Sequence, residues 1–176
     1  MYFPIILNTN KKVLIIGAGN VSLRKTKKLL EFTDKIKVVS LEFHKDFDNL
    51  NKEKLKMKIN EENFPILLKE EICFVILSLN NKELNKNLCE ICKNHNIMVN
   101  VVDNKDISDI IFPAVIEREN LLLAISTKGE CPYYSKKLKE ELTEFIDSKE
   151  KEAKNLINAR KKGEILDEAY GRIKRG

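Results

Sequence analysis

Two glycines near the start of the chain have the spacing of turns that hold phosphate groups. Gly17 and Gly19 belong to the run Gly17-Ala18-Gly19-Asn20-Val21-Ser22, which follows an apolar segment and opens an amphipathic one. The first glycine permits a tight turn, and the second lets backbone N–H groups approach a pyrophosphate at the positive end of a helix. Ser22 stands where glycine or alanine is usual, but it is small enough for close packing. The run predicts dinucleotide binding; a glycine turn that binds no nucleotide is the alternative.

Two carboxylates follow predicted strands and could contribute to the same site. Ser40 occupies the usual place of the acidic residue that binds the adenosine ribose, and Glu42 comes two positions later. If Glu42 accepts from the ribose hydroxyls, it favours NAD over the 2′-phosphorylated cofactor; a solvated loop glutamate is the alternative. Asp103 ends a later strand, at the edge where open α/β sheets bind ligands. A loop cap for the turn at Asn104 is the alternative there.

Alternating strands and helices are predicted to position these residues. Apolar, β-branched runs predict strands at 12–16, 36–40, 56–59, 73–79 and 98–102, with helices at 21–31 and 82–93. This pattern predicts an α/β fold, a Rossmann-like doubly wound parallel sheet. The alternation stops near Asp103, after which residues 112–117 and 121–126 read as an antiparallel hairpin. One helix at 133–148 and a second to the end are expected to follow, giving a nucleotide domain 1–113, a dimerisation segment 114–148 and a helical tail 149–176.

The composition limits the possible partners. No apolar run in the 176 residues approaches the roughly 20 residues that span a bilayer. The opening segment lacks a basic leader, so the chain is predicted to be cytoplasmic. The net charge of +5 favours anionic partners in general, but the basic ending 172–175 lacks an aromatic platform, and we expect no nucleic-acid binding.

The cysteines offer a possible metal site, which we consider less consistent with the pattern than buried thiols. Cys92 lies three residues after Cys89 and three before His95. It also continues the apolar stripe of the predicted helix. A structural zinc site normally needs a fourth ligand and usually a loop. We therefore expect free thiols and no metal site.

Four segments, taken together, resemble the precorrin-2 dehydrogenases of sirohaem synthesis, including the N-terminal half of bifunctional and trifunctional sirohaem synthases. They are Phe3-Pro4-Ile5, the run from Gly17 to Lys25, Asn100-Val101-Val102-Asp103 with Phe112-Pro113-Ala114, and Ala124-Ile125-Ser126-Thr127-Lys128-Gly129 with Pro132. Order and spacing agree over nearly the whole chain, with the C-terminal tail matching poorly. Cys131 departs from the family, in which serine often precedes the proline.

The resemblance implies NAD-dependent oxidation of precorrin-2 to sirohydrochlorin by a homodimer whose active site lies between the nucleotide domain and the dimerisation region. Asn20, Val21, Leu41 and Glu42 match residues that contact NAD, and Asp103 matches an essential aspartate. In such an oxidation Asp103 could take a proton as general base, or orient the macrocycle through its pyrrole nitrogens.

Two other functions remain open at this point. One adds ferrochelatase activity at the same site, and the other is a non-catalytic NAD-sensing module. A substrate with many carboxylates would favour an electropositive cleft. Four basic residues of the second half could contribute, although each alone reads as a solvated charge: Arg118, Lys128, Lys136 and Lys137.

Overall fold

A computed structural model describes residues 6–175, so the segment Phe3-Pro4-Ile5 lies outside the described residues. The strands are β1 (Lys12–Ile16), β2 (Ile36–Ser40), β3 (Glu53–Lys56), β4 (Ile72–Leu77), β5 (Met98–Val101), β6 (Ala114–Glu117) and β7 (Leu122–Ile125). The α-helices are α1 (Asn20–Leu29), α2 (Phe64–Leu67), α3 (Lys82–Asn94), α4 (Pro132–Lys161) and α5 (Leu166–Arg175), and a short 3-10 helix spans Lys45–Asn49.

The first five strands form one parallel sheet in the order β3-β2-β1-β4-β5. Its central strand β1 is apolar and almost wholly buried because neighbours cover it on both sides and both faces. The chain passes from β1 outward to β2 and β3, and then crosses to β4 on the other side of β1. The predicted Rossmann-like α/β fold is therefore confirmed. Because the strand order changes direction between β1 and β4, a crevice opens at the carboxyl ends of these two strands, where such sheets bind ligands.

Helices α1 and α3 cover opposite faces of this sheet because the two right-handed crossovers run in opposite directions. Alternate strand residues accordingly face different helices. Leu14 and Val75 pack in the cluster that contains Leu88 and Cys92 of α3. Their sequence neighbours, including Ile15 beside Ile76, face the other way. The carboxyl edge thus has a helix on each side.

The prediction for β3 was wrong in position, since the strand spans Glu53–Lys56 and not 56–59. Ion pairs fix the register of β3 against β2. Glu53 lies opposite Lys37 of β2, with 3.0 Å between Lys37 Nζ and a Glu53 carboxylate oxygen. Lys12 bridges Glu53 and Glu70 at 2.9 Å each, and Lys37 also contacts Glu70. Hydrophobic alternation cannot detect a register that is set by ion pairs on an edge strand.

These four charges predict acid-sensitive stability. Hydrogen bonds from Lys37 and then Lys12 lower the pKa of Glu70 below its usual 4.5. Burial disfavours the Lys37 ammonium, but hydrogen bonds to Glu70 and Glu53 outweigh burial and raise its pKa. Because a lowered carboxyl pKa stabilises the fold above the unfolded-state value, this stabilisation is lost as the pH falls below about 4.5.

We expect Glu70→Gln to lower the free energy of unfolding at pH 7 by about 1 to 3 kcal/mol, the range for a hydrogen bond to a charged group. Between roughly pH 5 and 3, the free energy of unfolding should also decline less in the variant than in the wild type. Urea unfolding at several pH values measures both effects, with the exposed Glu62→Gln as control. Equal stability of Glu70→Gln and wild type at pH 7 would show that the ion pairs of Glu70 contribute nothing.

The described residues from Phe112 onward form a second compact unit. Strands β6 and β7 pair antiparallel, so the predicted hairpin is confirmed. Helices α4 and α5 pack on each other, and α4 also packs on the hairpin.

The expected break in the helical region near residue 148 was wrong, because α4 runs unbroken to Lys161. The hairpin turn binds the middle of α4: Arg118 Nε lies 2.5 Å from Asp147 Oδ1, and the Asn120 amide N–H donates to Glu150 over 2.9 Å. The helix instead ends before Gly163, whose φ is +75°. In the described residues 6–175 no helix is long and apolar enough to cross a membrane.

Candidate dinucleotide site at the carboxyl edge of the sheet

The glycine turn joins β1 to α1 at the centre of the crevice. Gly17 has φ +100°, and a Cβ built there would lie 2.7 Å from the Ser78 carbonyl oxygen. The Ser22 hydroxyl on the first turn of α1 contacts the Ser78 hydroxyl after β4. Gly17 and the small Ser22 are therefore needed because the loop after β4 passes directly against the turn. Sequence spacing could not identify Ser78, since this contact spans 56 residues.

The amino terminus of α1 presents polar backbone groups to open space. Gly19 is the N-cap residue and has no side chain with which to bind the first amides of the helix. A Cβ built on Gly19 meets no atom within 4 Å. Asn20 is exposed and Val21 half-buried on the same first turn. The first N–H groups of a helix attract anions, so this end fits the pyrophosphate of a dinucleotide.

The loop after β2 is attached to this turn. The His44 amide N–H donates to the Ala18 carbonyl over 2.9 Å, which holds the segment that carries Leu41 and Glu42 beside the glycines. Both side chains are exposed, Leu41 to 50%. An exposed carboxylate with an exposed apolar side chain before it can bind ribose hydroxyls and the flat face of an adenine. The structure thus brings Glu42 and the glycine turn together.

Asp103 follows β5 at the same edge, two strands from β1. With neighbouring strands about 4.8 Å apart, the ends of β1 and β5 are roughly 10 Å from each other. Asp103 is exposed and has φ +59°, a left-handed conformation that Asp tolerates better than most residues. The Asn104 amide N–H donates to the Val101 carbonyl over 3.2 Å, which closes a turn around Asp103. The residue therefore lies in a turn, as the loop-cap alternative required, while its carboxylate stays accessible.

Lys25 of the glycine helix lies near enough to Asp103 to interact with it electrostatically. It lies one turn beyond Ser22 on α1 and is half-buried. Burial lowers the pKa of the Lys25 ammonium, with a smaller contribution from Arg24, while the nearby Asp103 carboxylate opposes this change. Lys25 belongs to the segment Gly17–Lys25 but was not predicted as a site residue, because its proximity to Asp103 depends on the sheet order.

The cysteine and histidine candidates belong to α3 and its end. Cys89 and Cys92 are buried in α3, and burial raises the pKa of the Cys92 thiol to about 12. His95 caps the end of that helix, with Nδ1 2.9 Å from the Ile91 carbonyl. The expectation of buried free thiols is confirmed.

The basic residues of the second unit belong to local ion pairs or to its surface. Arg118 pairs with Asp147, Lys136 and Lys137 pair with Glu140, and Lys128 is exposed with φ +57°. Their predicted role in a substrate cleft stays a prediction.

Comparison with known proteins agrees with this geometry. The sequence model of a protein family described as "Putative NAD(P)-binding" matches residues 5–114, well over half of the 176-residue chain. The Siroheme synthase of Buchnera aphidicola is 32% identical over 151 residues, which cover 84% of this chain and 31% of that protein. The Siroheme synthase of Pseudoalteromonas translucida is 33% identical over 82% of this chain and 31% of that protein. The chain therefore spans about a third of the length of these relatives.

A solved structure is similar to most of this chain. It is described as "SirC, precorrin-2 dehydrogenase" and matches with a TM-score of 0.69 and 25% identity. The match covers 91% of this chain and 79% of that one. The family model described as "Putative NAD(P)-binding" covers the glycine turn, the loop of Glu42 and Asp103. The chain therefore belongs to that family.

Proposed function

We propose that this chain is an NAD-dependent dehydrogenase that oxidises precorrin-2 to sirohydrochlorin in sirohaem biosynthesis. The observation that carries the proposal is the carboxyl edge of the sheet. An uncapped helix amino terminus, an attached acidic loop and an exposed aspartate are all placed there, on both sides of the switch point. The likeness to siroheme synthases and to a precorrin-2 dehydrogenase supports the choice of substrate.

The residues present fit a dinucleotide. Gly17 and Gly19 keep the turn free of side chains, and the first amides of α1, at Asn20 and Val21, would bind the pyrophosphate. Glu42 would accept from the adenosine ribose, and Leu41 would pack on the adenine. A carboxylate at this place repels a 2′-phosphate, so we propose NAD and not its phosphorylated form.

Asp103 would act on the substrate. Bound NAD supplies the hydride acceptor of the oxidation, and the reaction also releases a proton. In this proposal Asp103 accepts that proton as a general base, or orients the macrocycle by accepting hydrogen bonds from its pyrrole N–H groups.

The test is anaerobic incubation of the purified protein with precorrin-2 and NAD. We expect NADH absorbance and the sirohydrochlorin spectrum to rise together in a ratio of one to one. With NADP in place of NAD the rate should be much lower. A folded protein that binds NAD but forms no NADH from precorrin-2 would contradict the proposal and favour an NAD-sensing role.

We also propose that the chain forms a homodimer through residues 114–148, with residues 1–113 as the nucleotide domain and 149–176 as a helical tail. Within the described residues 6–175, β6 and β7 pair only with each other, and a hairpin of two strands is marginally stable by itself. Several apolar side chains of this segment are exposed, namely Leu122 at 45%, Tyr133 at 69%, Tyr134 at 54% and Phe145 at 56%. Covering them with a second copy would remove this apolar surface from water. The cytoplasm is the proposed location.

Sedimentation tests the dimer. The wild type should sediment at twice the chain mass of 20.4 kDa. Tyr134→Glu should shift the protein towards monomer by at least about tenfold in dissociation constant, because a charge would be buried at the interface. Ile66→Glu changes an equally exposed apolar residue of the first unit and should leave the mass unchanged. A monomeric wild type would contradict this proposal without affecting the dehydrogenase.

A further inference from the structure

One hydroxyl group binds the backbone of the turn that carries Asp103. Ser108 Oγ accepts from the Val101 amide N–H over 2.8 Å, at the last residue of β5. The same oxygen lies 2.7 Å from the Asn104 carbonyl and 3.2 Å from the Val101 carbonyl. A hydroxyl has one proton to donate, and the shorter distance places it on Asn104. Ser108 therefore binds the backbone on both sides of Asp103.

The segment after Ser108 fixes this hydroxyl in place. Asp109 Oδ2 accepts from the Val99 amide N–H over 3.1 Å, and the Asp109 amide N–H donates to the Val99 carbonyl over 2.8 Å. The Asn100 side chain donates to the Ile110 carbonyl over 2.7 Å. Residues 108–110 thus bind along the open edge of β5, and Ser108 cannot move away from the turn without breaking these bonds.

We propose that Ser108 is a positioning residue for the dehydrogenase reaction, holding Asp103 in its left-handed turn so that the carboxylate faces the crevice. The inference rests on the proposed function. Asp103 has φ +59°, which most residues adopt rarely, and the turn has one backbone hydrogen bond of its own at 3.2 Å. Loss of the Ser108 hydroxyl would let the turn relax and redirect the Asp103 carboxylate. Ser108 does not itself act on substrate in this role.

The experiment compares Ser108→Ala with the wild type in turnover and in amide hydrogen exchange. We expect kcat to fall by about 10- to 100-fold, the usual cost of a misplaced catalytic group, with KM for precorrin-2 and the Kd for NAD within about twofold. Exchange at the Asn104 amide should rise at least about tenfold, while exchange at the Ile76 amide in the sheet core should stay unchanged. Ser108→Thr, which restores the hydroxyl, should recover most of the turnover.

Thr33→Ala is the matched control. Thr33 Oγ1 accepts from the Lys35 amide N–H over 3.1 Å and so holds a loop at the opposite edge of the sheet. Its loss should leave turnover and Asn104 exchange as in the wild type.

Two outcomes would overturn the inference: wild-type kcat in Ser108→Ala, or unchanged exchange at Asn104. If the wild type forms no NADH from precorrin-2, the proposed function fails separately. The exchange measurement then still decides whether Ser108 fixes the Asp103 turn.

Discussion

Asp103→Asn should reduce the rate of precorrin-2 oxidation by about 100- to 10,000-fold, the range for loss of a general base. Asparagine has nearly the same shape and tolerates the left-handed φ of +59°, so the turn should keep its conformation. The amide cannot accept a proton as the carboxylate does. Binding of NAD should stay within about twofold of the wild type, because the turn after β5 does not hold the pyrophosphate.

Stopped-flow absorbance of NADH and calorimetric titration of NAD measure the two quantities. Asp106→Asn is the matched control, since it removes an exposed carboxylate from the same loop. It should turn over as the wild type does. If Asp103→Asn retained full activity, Asp103 would not act as the general base of the reaction.

Replacing Gly17 or Gly19 by alanine should have different effects on stability and on NAD binding. Gly17→Ala should lower the free energy of unfolding by about 2 to 4 kcal/mol, from backbone strain and overpacking together. The physical reason is the φ of +100° and the Ser78 carbonyl oxygen 2.7 Å from the new Cβ. Gly19→Ala should change stability by less than about 0.5 kcal/mol, because its Cβ meets no atom within 4 Å.

Among the folded variants, we expect Gly19→Ala to weaken NAD binding more than Gly17→Ala does. The Gly19→Ala methyl enters the space in front of the first amides of α1, so we expect NAD to bind at least about tenfold more weakly. Urea unfolding and NAD titration of both variants provide the comparison. If Gly19→Ala bound NAD normally, the open space at Gly19 would not be the pyrophosphate site.

The fold was predictable where burial alone determines it. The run Val13–Ile16 and the strand Ile36–Ser40 are largely apolar and buried, and the sequence pattern placed both correctly. Strand β3 lies on an edge, where the ion pairs of Glu53 decide the register and apolar alternation gives no signal. The end of α4 had a local signal that the prediction did not use. The Gly163 amide N–H donates to the Arg160 carbonyl and the Glu164 amide N–H to the Ala159 carbonyl, a common helix-ending arrangement.

The candidate site was predictable only in part for a related reason. Gly17 and Gly19 carry their role in their own spacing, and Asp103 follows a recognisable strand. Ser78 and Lys25 enter the site through the sheet order, which joins segments more than 50 residues apart. Ser108 follows Asp103 by five residues, but its hydroxyl matters only because the chain returns along the edge of β5.

A titration of the isotopically labelled protein with NAD, followed by amide chemical shifts, tests most directly whether the glycine turn and Asp103 share one crevice. We expect the amides of Gly19, Asn20 and Val21 to shift together with those of Asp103 and Asn104, with one dissociation constant. Shifts at the turn that leave the Asp103 segment unchanged, or shifts confined to the hairpin of β6 and β7, would contradict the proposed site.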